Sequence, residues 1–361
     1  MNRRDFIHTM GILSAGLTLP GARQLFAATT VPAGWRTFEV TTHIEVLKRA
    51  GQTLVWMPGA LTIETPFQKT LSNDYEAPGG TVHTEQRKID GLEIICAKFP
   101  AGVPAELTVK SRVMTRNITV DLDNMEKTSD SAADLEYFKR PTRLLPTDGI
   151  VKQNAMEITS GMKKDIDKAR AIYEWIVENT VRNPKTRGCG RGDIRAMLVT
   201  RDLAGKCADL NSLYVGLARA AGLPARDVYG VRVAPSELGY KSLGAHTANI
   251  TKAQHCRAEV YLSEHGWVPV DPADVRKVML EEPPGHRTLD DDMVKRARSR
   301  LFGGWEMNWM AFNFAHDVEL PGSKGKPVPF LMYPQAETDD GRIDSLNADH
   351  FKYQITAHEI T

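Results

Sequence analysis

The segment Gly205–Tyr214 reads Gly-Lys-Cys-Ala-Asp-Leu-Asn-Ser-Leu-Tyr, and it decides how the rest of the chain is interpreted. Apolar residues follow one another with helical spacing at Leu210, Leu213, Tyr214, Leu217 and Ala221. Gly222 and Pro224 then stop the pattern, as a C-terminal glycine and a following proline do at helix ends. The segment therefore predicts an amphipathic helix with Cys207 in or just before its first turn.

Cys207 occupies a position that favours a negative charge. Unpaired backbone N–H groups and the positive end of the helix dipole meet at a helix start. A thiol there should lose its proton more readily than a free thiol, whose pKa is about 8.5. The same N–H groups could hold the oxyanion of a tetrahedral intermediate. The alternative is a buried cysteine that packs as a small hydrophobe, and the glycine before the helix weakens that alternative without removing it.

A predicted β-hairpin downstream offers a base for this thiol. Its first strand is Gln254–Leu262, and a polar turn that ends at Gly266 leads into the second strand. Antiparallel pairing across the turn brings Asp271, at the end of the second strand, back close to His255. A nucleophile needs a base, and the base needs a group to orient it. Cys207, His255 and Asp271 therefore form a predicted acyl-transfer triad.

Three segments of this region resemble the signature blocks of the transglutaminase-like superfamily. They are Gly205–Asn211, His255–Tyr261 and Gly266–Pro272, the last of which reads Gly-Trp-Val-Pro-Val-Asp-Pro. The resemblance extends over about residues 150–280 and implies an α+β fold with a papain-like core. It also implies that Cys207 is the nucleophile, His255 the general base and acid, and Asp271 the residue that orients His255.

The superfamily includes cross-linking enzymes, peptidases, amidases and inactive relatives, so the resemblance leaves several activities open. We expect a hydrolase that acts on peptide or carboxamide bonds of a peptide or protein substrate through a thioester. Hydrolysis is favoured because water is always present, whereas nothing in the sequence marks a site for a second amine. The alternatives are an inactive peptide-binding or scaffolding module and a cross-linking transglutaminase. Many members have an aromatic residue two positions beyond the histidine, and Arg257 here is expected to change the shape or charge of the cleft.

The first part of the chain is predicted to be a small antiparallel β-sandwich. Polar and apolar residues alternate in Arg36–Lys48, and similar runs follow at Thr53–Met57, Thr81–Ile89, Leu92–Phe99 and Ala105–Val120. Turn residues such as Asp90-Gly91 separate the runs. We therefore expect a sandwich over residues 29–145 and a transglutaminase-like domain over residues 146–361. Further strands, predicted to close the sheet of the second domain, are Phe314–Leu320, Val328–Tyr333 and Phe351–His358.

Residues 1–28 have the features of an export signal. Arg3 and Arg4 stand before Phe6 and an apolar run that is too short for a transmembrane helix, which needs about 20 apolar residues. Ala27-Ala28 is a plausible cleavage point, and the paired arginines resemble the twin-arginine signal. We expect a periplasmic protein with no stable membrane insertion after signal removal. The alternative is a basic N-terminus on a cytoplasmic protein.

Charge and cysteine content exclude several other classes. Lys plus Arg number 46 against 45 for Asp plus Glu, so the chain lacks the basic excess of a nucleic-acid-binding protein. No two of the four cysteines form a Cys-x-x-Cys pair, and we expect neither a metal nor a cofactor. Cys189 lies in a glycine-rich loop that we interpret as a flexible wall of the cleft. A disulfide from Cys189 to Cys207 or Cys256 stays open, because sequence cannot fix connectivity.

Overall fold

The computed structural model describes residues 34–48, 50–124 and 130–360. The predicted signal peptide over residues 1–28 lies outside these residues. Within the described part of the chain, no helix has the length and apolar character needed to cross a bilayer.

The first part of the chain forms seven strands within the described ranges. Their bounds are β1 Arg36–Val46, β2 Thr53–Pro58, β3 Gln68–Glu76, β4 Thr81–Arg87, β5 Leu92–Phe99, β6 Ala105–Thr115 and β7 Ile118–Thr119. The predicted runs correspond to every one of these strands except β3. That strand reads Gln-Lys-Thr-Leu-Ser-Asn-Asp-Tyr-Glu and is largely exposed, so it has no apolar face for a pattern search to find.

The second part of the chain mixes helices and strands. Its helices are α1 Ala132–Tyr137, α2 Gly149–Ile158, α3 Asp165–Asn179, α4 Ile194–Thr200, α5 Cys207–Ala220, α6 Pro272–Glu281 and α7 Asp292–Arg300. Its strands are β8 Val181–Arg182, β9 Ala204–Gly205, β10 Ala225–Arg232, β11 Gln254–Leu262, β12 Gly266–Val270, β13 Gly304–Trp305, β14 Trp309–Asn313, β15 Gln335–Thr338, β16 Gly341–Ile343 and β17 Phe351–Ile360. Helix α5 begins at Cys207, within the turn that the sequence predicts.

Two antiparallel sheets make up the predicted sandwich. One has the order β17-β1-β6-β3 and the other the order β16-β15-β2-β5-β4. Buried and partly exposed residues alternate along β1 and β6, which gives each strand one face toward the interior. Phe38 and Leu107 from the first sheet and Val55 and Ile95 from the second are buried in the same hydrophobic core. The interlocking of these apolar faces joins the two sheets.

The C-terminal strands pair differently from our expectation. Instead of closing the sheet of the second domain, β17 pairs with β1 from Thr37↔Ile360 to Val46↔Phe351, and β15 pairs with β2. The predicted run over residues 328–333 forms no strand and contributes only the single bridge Val318↔Val328. Alternation of side chains reveals that one strand face is buried, but it does not reveal which sheet covers that face.

A third antiparallel sheet, with the order β12-β11-β10-β14, carries His255 on β11. Helix α5 packs against β11 and β10 of this sheet and also contacts α2, α3 and α6. All fourteen residues of α5 are buried as a result. A helix enclosed in this way has little freedom to move, so its first residue, Cys207, is held in a fixed place relative to β11.

Candidate active site

The start of α5 is fixed by the carboxylate of Asp209. Asp209 Oδ2 accepts a hydrogen bond from the backbone N–H of Lys206 at 3.0 Å, and its Oδ1 accepts from Arg191 and Gly192 at 2.9 and 3.0 Å. The glycine-rich loop is therefore attached to the helix that begins with Cys207. A side chain at Gly190 would lie 1.9 Å from Asp209 Oδ2, and its φ of +100° also favours glycine.

The first-turn amides of α5 are mostly engaged. Ala208 donates its N–H to the carbonyl of Cys189 at 2.9 Å, and Asp209 and Leu210 donate theirs to the carbonyl of Lys206 at 3.1 and 3.0 Å. The sequence predicted that several of these groups would be available to an oxyanion. Within the described residues, the N–H of Cys207 is the first-turn amide that has no backbone acceptor.

The predicted β-hairpin is confirmed, and it brings His255 and Asp271 together. Strands β11 and β12 pair antiparallel from Ala258↔Val270 to Leu262↔Gly266. Asp271 follows directly and caps α6, accepting the N–H of Asp274 at 3.0 Å. His255 Nε2 lies 2.7 Å from Asp271 Oδ2, and both side chains are buried.

Cys207 and His255 share a cavity of about 790 Å³, which opens to the surface beside the start of α5. Hydrogen bonds with the Cys189 and Cys256 thiols and with His255 place the pKa of Cys207 well below that of an ordinary thiol, although burial opposes them. All four cysteines have free thiols. Among the three neighbouring thiols, the pKa is lowered for the one at the helix start and raised for Cys189 and Cys256, so a negative charge is favoured at Cys207.

A pair that the sequence did not predict adjoins His255. Arg232 Nη2 donates to both oxygens of Asp274 at 2.6 and 2.8 Å, and Asp274 Oδ1 lies 3.4 Å from His255 Nε2. Burial alone would raise the pKa of Asp274, but Arg232 and His255 outweigh it and hold that pKa well below its usual range. Asp274 is thus a second buried negative charge next to the imidazole.

The charge of His255 follows from these neighbours. Burial and the Arg232 guanidinium lower its pKa, whereas Asp274 and Asp271 raise it more, so the pKa of His255 is raised to about 9. The lowered pKa of Cys207 and the raised pKa of His255 both favour a thiolate and an imidazolium over a neutral pair.

Asn211 connects the three elements that form the site. From the second turn of α5, its Nδ2 donates to the carbonyl of Cys256 at 2.8 Å and to Asp271 Oδ1 at 3.1 Å. Its Oδ1 accepts the N–H of Ala273 at 3.3 Å. Because Asn211 is fully buried, all three bonds are shielded from water and fix α5, β11 and α6 relative to one another.

Arg257 lies behind the triad, and our expectation that it shapes the cleft is wrong. Its side chain is 2% exposed, and its guanidinium stacks over Trp309 at 4.7 Å. The Nε atom is 3.7 Å from Asp271 Oδ2, and Nη1 donates to the carbonyl of Glu306 at 3.0 Å. Arg257 packs beside the rings of Trp305 and Trp309, and it is not among the described residues that line the cavity of His255.

The same carboxylates form a group that could be mistaken for a metal centre. Ligand atoms of His255, Asp271 and Asp274 lie within 4.8 Å of one another. His255 is already hydrogen-bonded to Asp271, and the guanidinium of Arg232 neutralises Asp274 through both oxygens. We interpret the group as a charge network that sets the pKa of the imidazole.

The polar partners of the site were missed because the sequence does not show which group each of them contacts. Arg232, Asn211 and Asp274 each lie on a different element, and a charged residue in a sequence is by default assigned to the surface. A usable signal was present for Asp274, which stands three residues after Asp271 at a helix start. Carboxylates concentrate in such first turns.

Comparison with known proteins agrees with this fold. Residues 152–272 match the transglutaminase-like superfamily, a range that contains Cys207, His255 and Asp271. An uncharacterized protein of Haemophilus influenzae is 34% identical over 326 residues, which cover 86% of this chain and 87% of that protein. The solved structure of a "putative cysteine protease" from Cytophaga hutchinsonii is 15% identical, covers 91% of each chain and superposes with a TM-score of 0.52.

These findings assign the class of protein. The chain belongs to the transglutaminase-like superfamily, and its α+β fold has the core that the sequence blocks implied. At 15% identity, the likeness to the solved structure concerns the fold alone.

Proposed function

We propose that this protein is a cysteine-dependent acyl-transfer enzyme that cleaves peptide or carboxamide bonds through a thioester. Cys207 is the nucleophile, His255 the acid and base, and Asp271 the group that orients His255. The 2.7 Å hydrogen bond between His255 and Asp271, next to a thiol with a lowered pKa at a helix start, carries the proposal.

In the first half of the reaction, the Cys207 thiolate attacks the carbonyl carbon and forms a C–S bond. The charge that develops on the carbonyl oxygen is stabilised by the N–H of Cys207 and the positive end of α5. As the C–N bond breaks, the imidazolium of His255 gives its proton to the departing amine. Asp271 and Asp274 keep that imidazolium charged until the transfer occurs.

In the second half, water replaces the amine. The now neutral His255 takes a proton from the water, whose oxygen attacks the thioester, and the Cys207 thiolate leaves. The products are a free acid and the regenerated ion pair. We propose water as the acceptor because the cavity opens to the surface and no described residue marks a separate amine site.

Alkylation with iodoacetamide, mapped by mass spectrometry on reduced protein, tests the activated pair. We expect Cys207 to react well below the pKa of a free thiol, and His255→Ala to slow this reaction. Cys207→Ala should lower turnover of a peptide or amide substrate by at least about a thousandfold, while Cys96→Ala, at a buried cysteine outside the cavity, serves as the matched control. Labelling of Cys207 no faster than that of Cys189, with no effect of His255, would favour the inactive binding module.

A cross-linking transglutaminase is the second alternative, and its products differ. A hydrolase yields a free acid, whereas a cross-linking enzyme acting on glutamine and lysine side chains yields ammonia and an isopeptide.

We further propose that the enzyme works in the periplasm after export by the twin-arginine route. Support for this comes from the paired arginines Arg3 and Arg4 before Phe6.

A further inference from the structure

The cavity that contains Cys207 is lined with far more positive than negative charge. Its basic lining residues are Arg182, Arg187, Lys206, Arg232, Lys252, Lys277 and Lys352. Among the described lining residues the one carboxylate is Glu45. The whole chain contains 46 basic and 45 acidic residues, so this excess is specific to the cavity.

Three of these cations are neutralised by carboxylates outside the lining. Arg182 lies 2.7 Å from Glu281, Arg187 lies 2.5 Å from Asp344, and Arg232 binds Asp274. These pairs are built into the protein and leave little charge for a ligand.

The lysines are the cations that remain. Lys206, Lys252 and Lys352 have no carboxylate within ion-pair distance among the described residues, whereas Lys277 lies 3.9 Å from Glu281, which Arg182 already binds. Glu45 stands directly opposite Lys352 in the β1–β17 ladder and offsets part of this excess. Burial lowers the pKa of Lys277 to about 8, which still leaves its amine mostly charged at neutral pH.

From this arrangement we infer that the enzyme acts on acidic peptides, in which carboxylates flank the bond that Cys207 attacks. The inference rests on the proposed function and names its substrate class. Apolar rings share the lining with the lysines, at Tyr333, Phe351 and Tyr353, so the cavity offers both apolar and cationic contacts. A cleft lined by one sign of charge raises the local concentration of ligands of the opposite sign.

Two alkylating reagents of equal reach and different charge test the inference at Cys207. Iodoacetate is an anion and iodoacetamide is neutral, so their rate ratio reports the potential at the thiolate independently of turnover. We expect the ratio of iodoacetate to iodoacetamide at Cys207 to exceed that for glutathione about tenfold or more. Added salt should reduce the ratio, because it screens partly exposed charges.

Substitution of exposed lysines then tests the residues. Lys252→Gln combined with Lys352→Gln should lower the ratio and raise KM for a peptide with flanking aspartates, with little change for the same peptide with asparagines. Lys98→Gln combined with Lys163→Gln removes the same charge from exposed positions outside the cavity and should change neither quantity.

The outcomes separate the two proposals. If Cys207 is activated toward iodoacetamide but iodoacetate has no advantage over its glutathione ratio, the acidic-peptide inference is wrong and the proposed function stands. If Cys207 is not activated toward iodoacetamide, the proposed function is wrong, and the inference that rests on it is overturned too. An advantage of iodoacetate that survives in the Lys252/Lys352 variant contradicts the assignment to these lysines.

Discussion

His255 illustrates how buried neighbours convert a common side chain into a proton donor at neutral pH. Two carboxylates lie within 3.4 Å of its Nε2, and their effect on its pKa outweighs that of burial and of the Arg232 guanidinium. The pKa of about 9 that results keeps the imidazole protonated where an ordinary histidine would be mostly neutral. Amide cleavage needs this proton, since an amine anion is a poor leaving group.

The pH dependence of kcat/KM should therefore fall on the basic side near pH 9 for an amide substrate. In the proposed mechanism the group whose protonated form is active is His255, so we expect activity below its pKa and a loss of activity as the pH rises through it. An activated ester, whose leaving group needs no proton, should retain its rate above pH 9. Asp274→Asn removes one of the charges that raise the pKa of His255 and should move the basic limb to lower pH. An unchanged limb in that variant would contradict this origin of the shift.

The proximity of Cys207, His255 and Asp271 could be predicted from the sequence because each of them lies in a local pattern. Cys207 follows a glycine at a helix start, while His255 and Asp271 stand at the two ends of a hairpin whose turn fixes their register. Arg232 was not predictable in this way, because its role depends on Asp274, which lies 42 residues further along the chain.

At the scale of elements, β10 shows why a charged sequence can be a central strand. It reads Ala-Arg-Asp-Val-Tyr-Gly-Val-Arg, and all eight residues are buried. Arg226 pairs with Glu259 at 2.7 Å and stacks over Trp267, while Asp227 accepts a hydrogen bond from Ser212. Each charge has a partner on a neighbouring element, and none of these partners is visible in the strand's own sequence. The sequence analysis accordingly gave no strand here.

Asp209 attaches the glycine-rich loop to α5, so its substitution is a second test of the structure. Asp209→Ala leaves three backbone N–H groups without their acceptor, and each such loss costs about 1–3 kcal/mol when the group is buried. We expect a lower free energy of unfolding in denaturant, faster proteolysis within residues 188–193 and reduced alkylation of Cys207. Asp193→Ala, which removes one cap bond of α4 to Ala196 in the same loop, is the matched control and should leave Cys207 unaffected.

Retention of wild-type stability and of Cys207 reactivity in Asp209→Ala would show that the loop is held by other contacts. The sequence interpretation of this loop as a wall of the cleft is confirmed, since Gly188 and Cys189 line the cavity. The prediction also says that the loop is flexible, and the Asp209 experiment would measure that flexibility.

At the scale of the whole molecule, the sandwich and the catalytic sheet are joined by the last strand. Phe351 and Tyr353 of β17 line the cavity of Cys207, as does His43 of β1. The same strand bonds to the catalytic half through the N–H of Ile355, which donates to Thr251 Oγ1 at 2.9 Å. One wall of the cleft is therefore made by residues 80 or more positions away from Cys207, His255 and Asp271 in sequence, and local patterns cannot reveal such a wall.

Removal of residues 335–361 should accordingly damage both halves of the protein. Without β17 and β15, the strands β1 and β2 each lose a hydrogen-bonded neighbour. The core also loses the buried side chains of Phe351, Ile355 and Ala357, so water can enter the space that they filled. Unpaired strand edges promote association, so we expect aggregation or a much lower midpoint of thermal unfolding, and a loss of accelerated alkylation at Cys207. A protease site inserted between Gly325 and Lys326, cut after folding, breaks the chain but keeps the strands and is the matched control. If the truncated chain unfolds at the same temperature as the intact protein and keeps a reactive Cys207, then β17 is dispensable and the cleft does not depend on the sandwich.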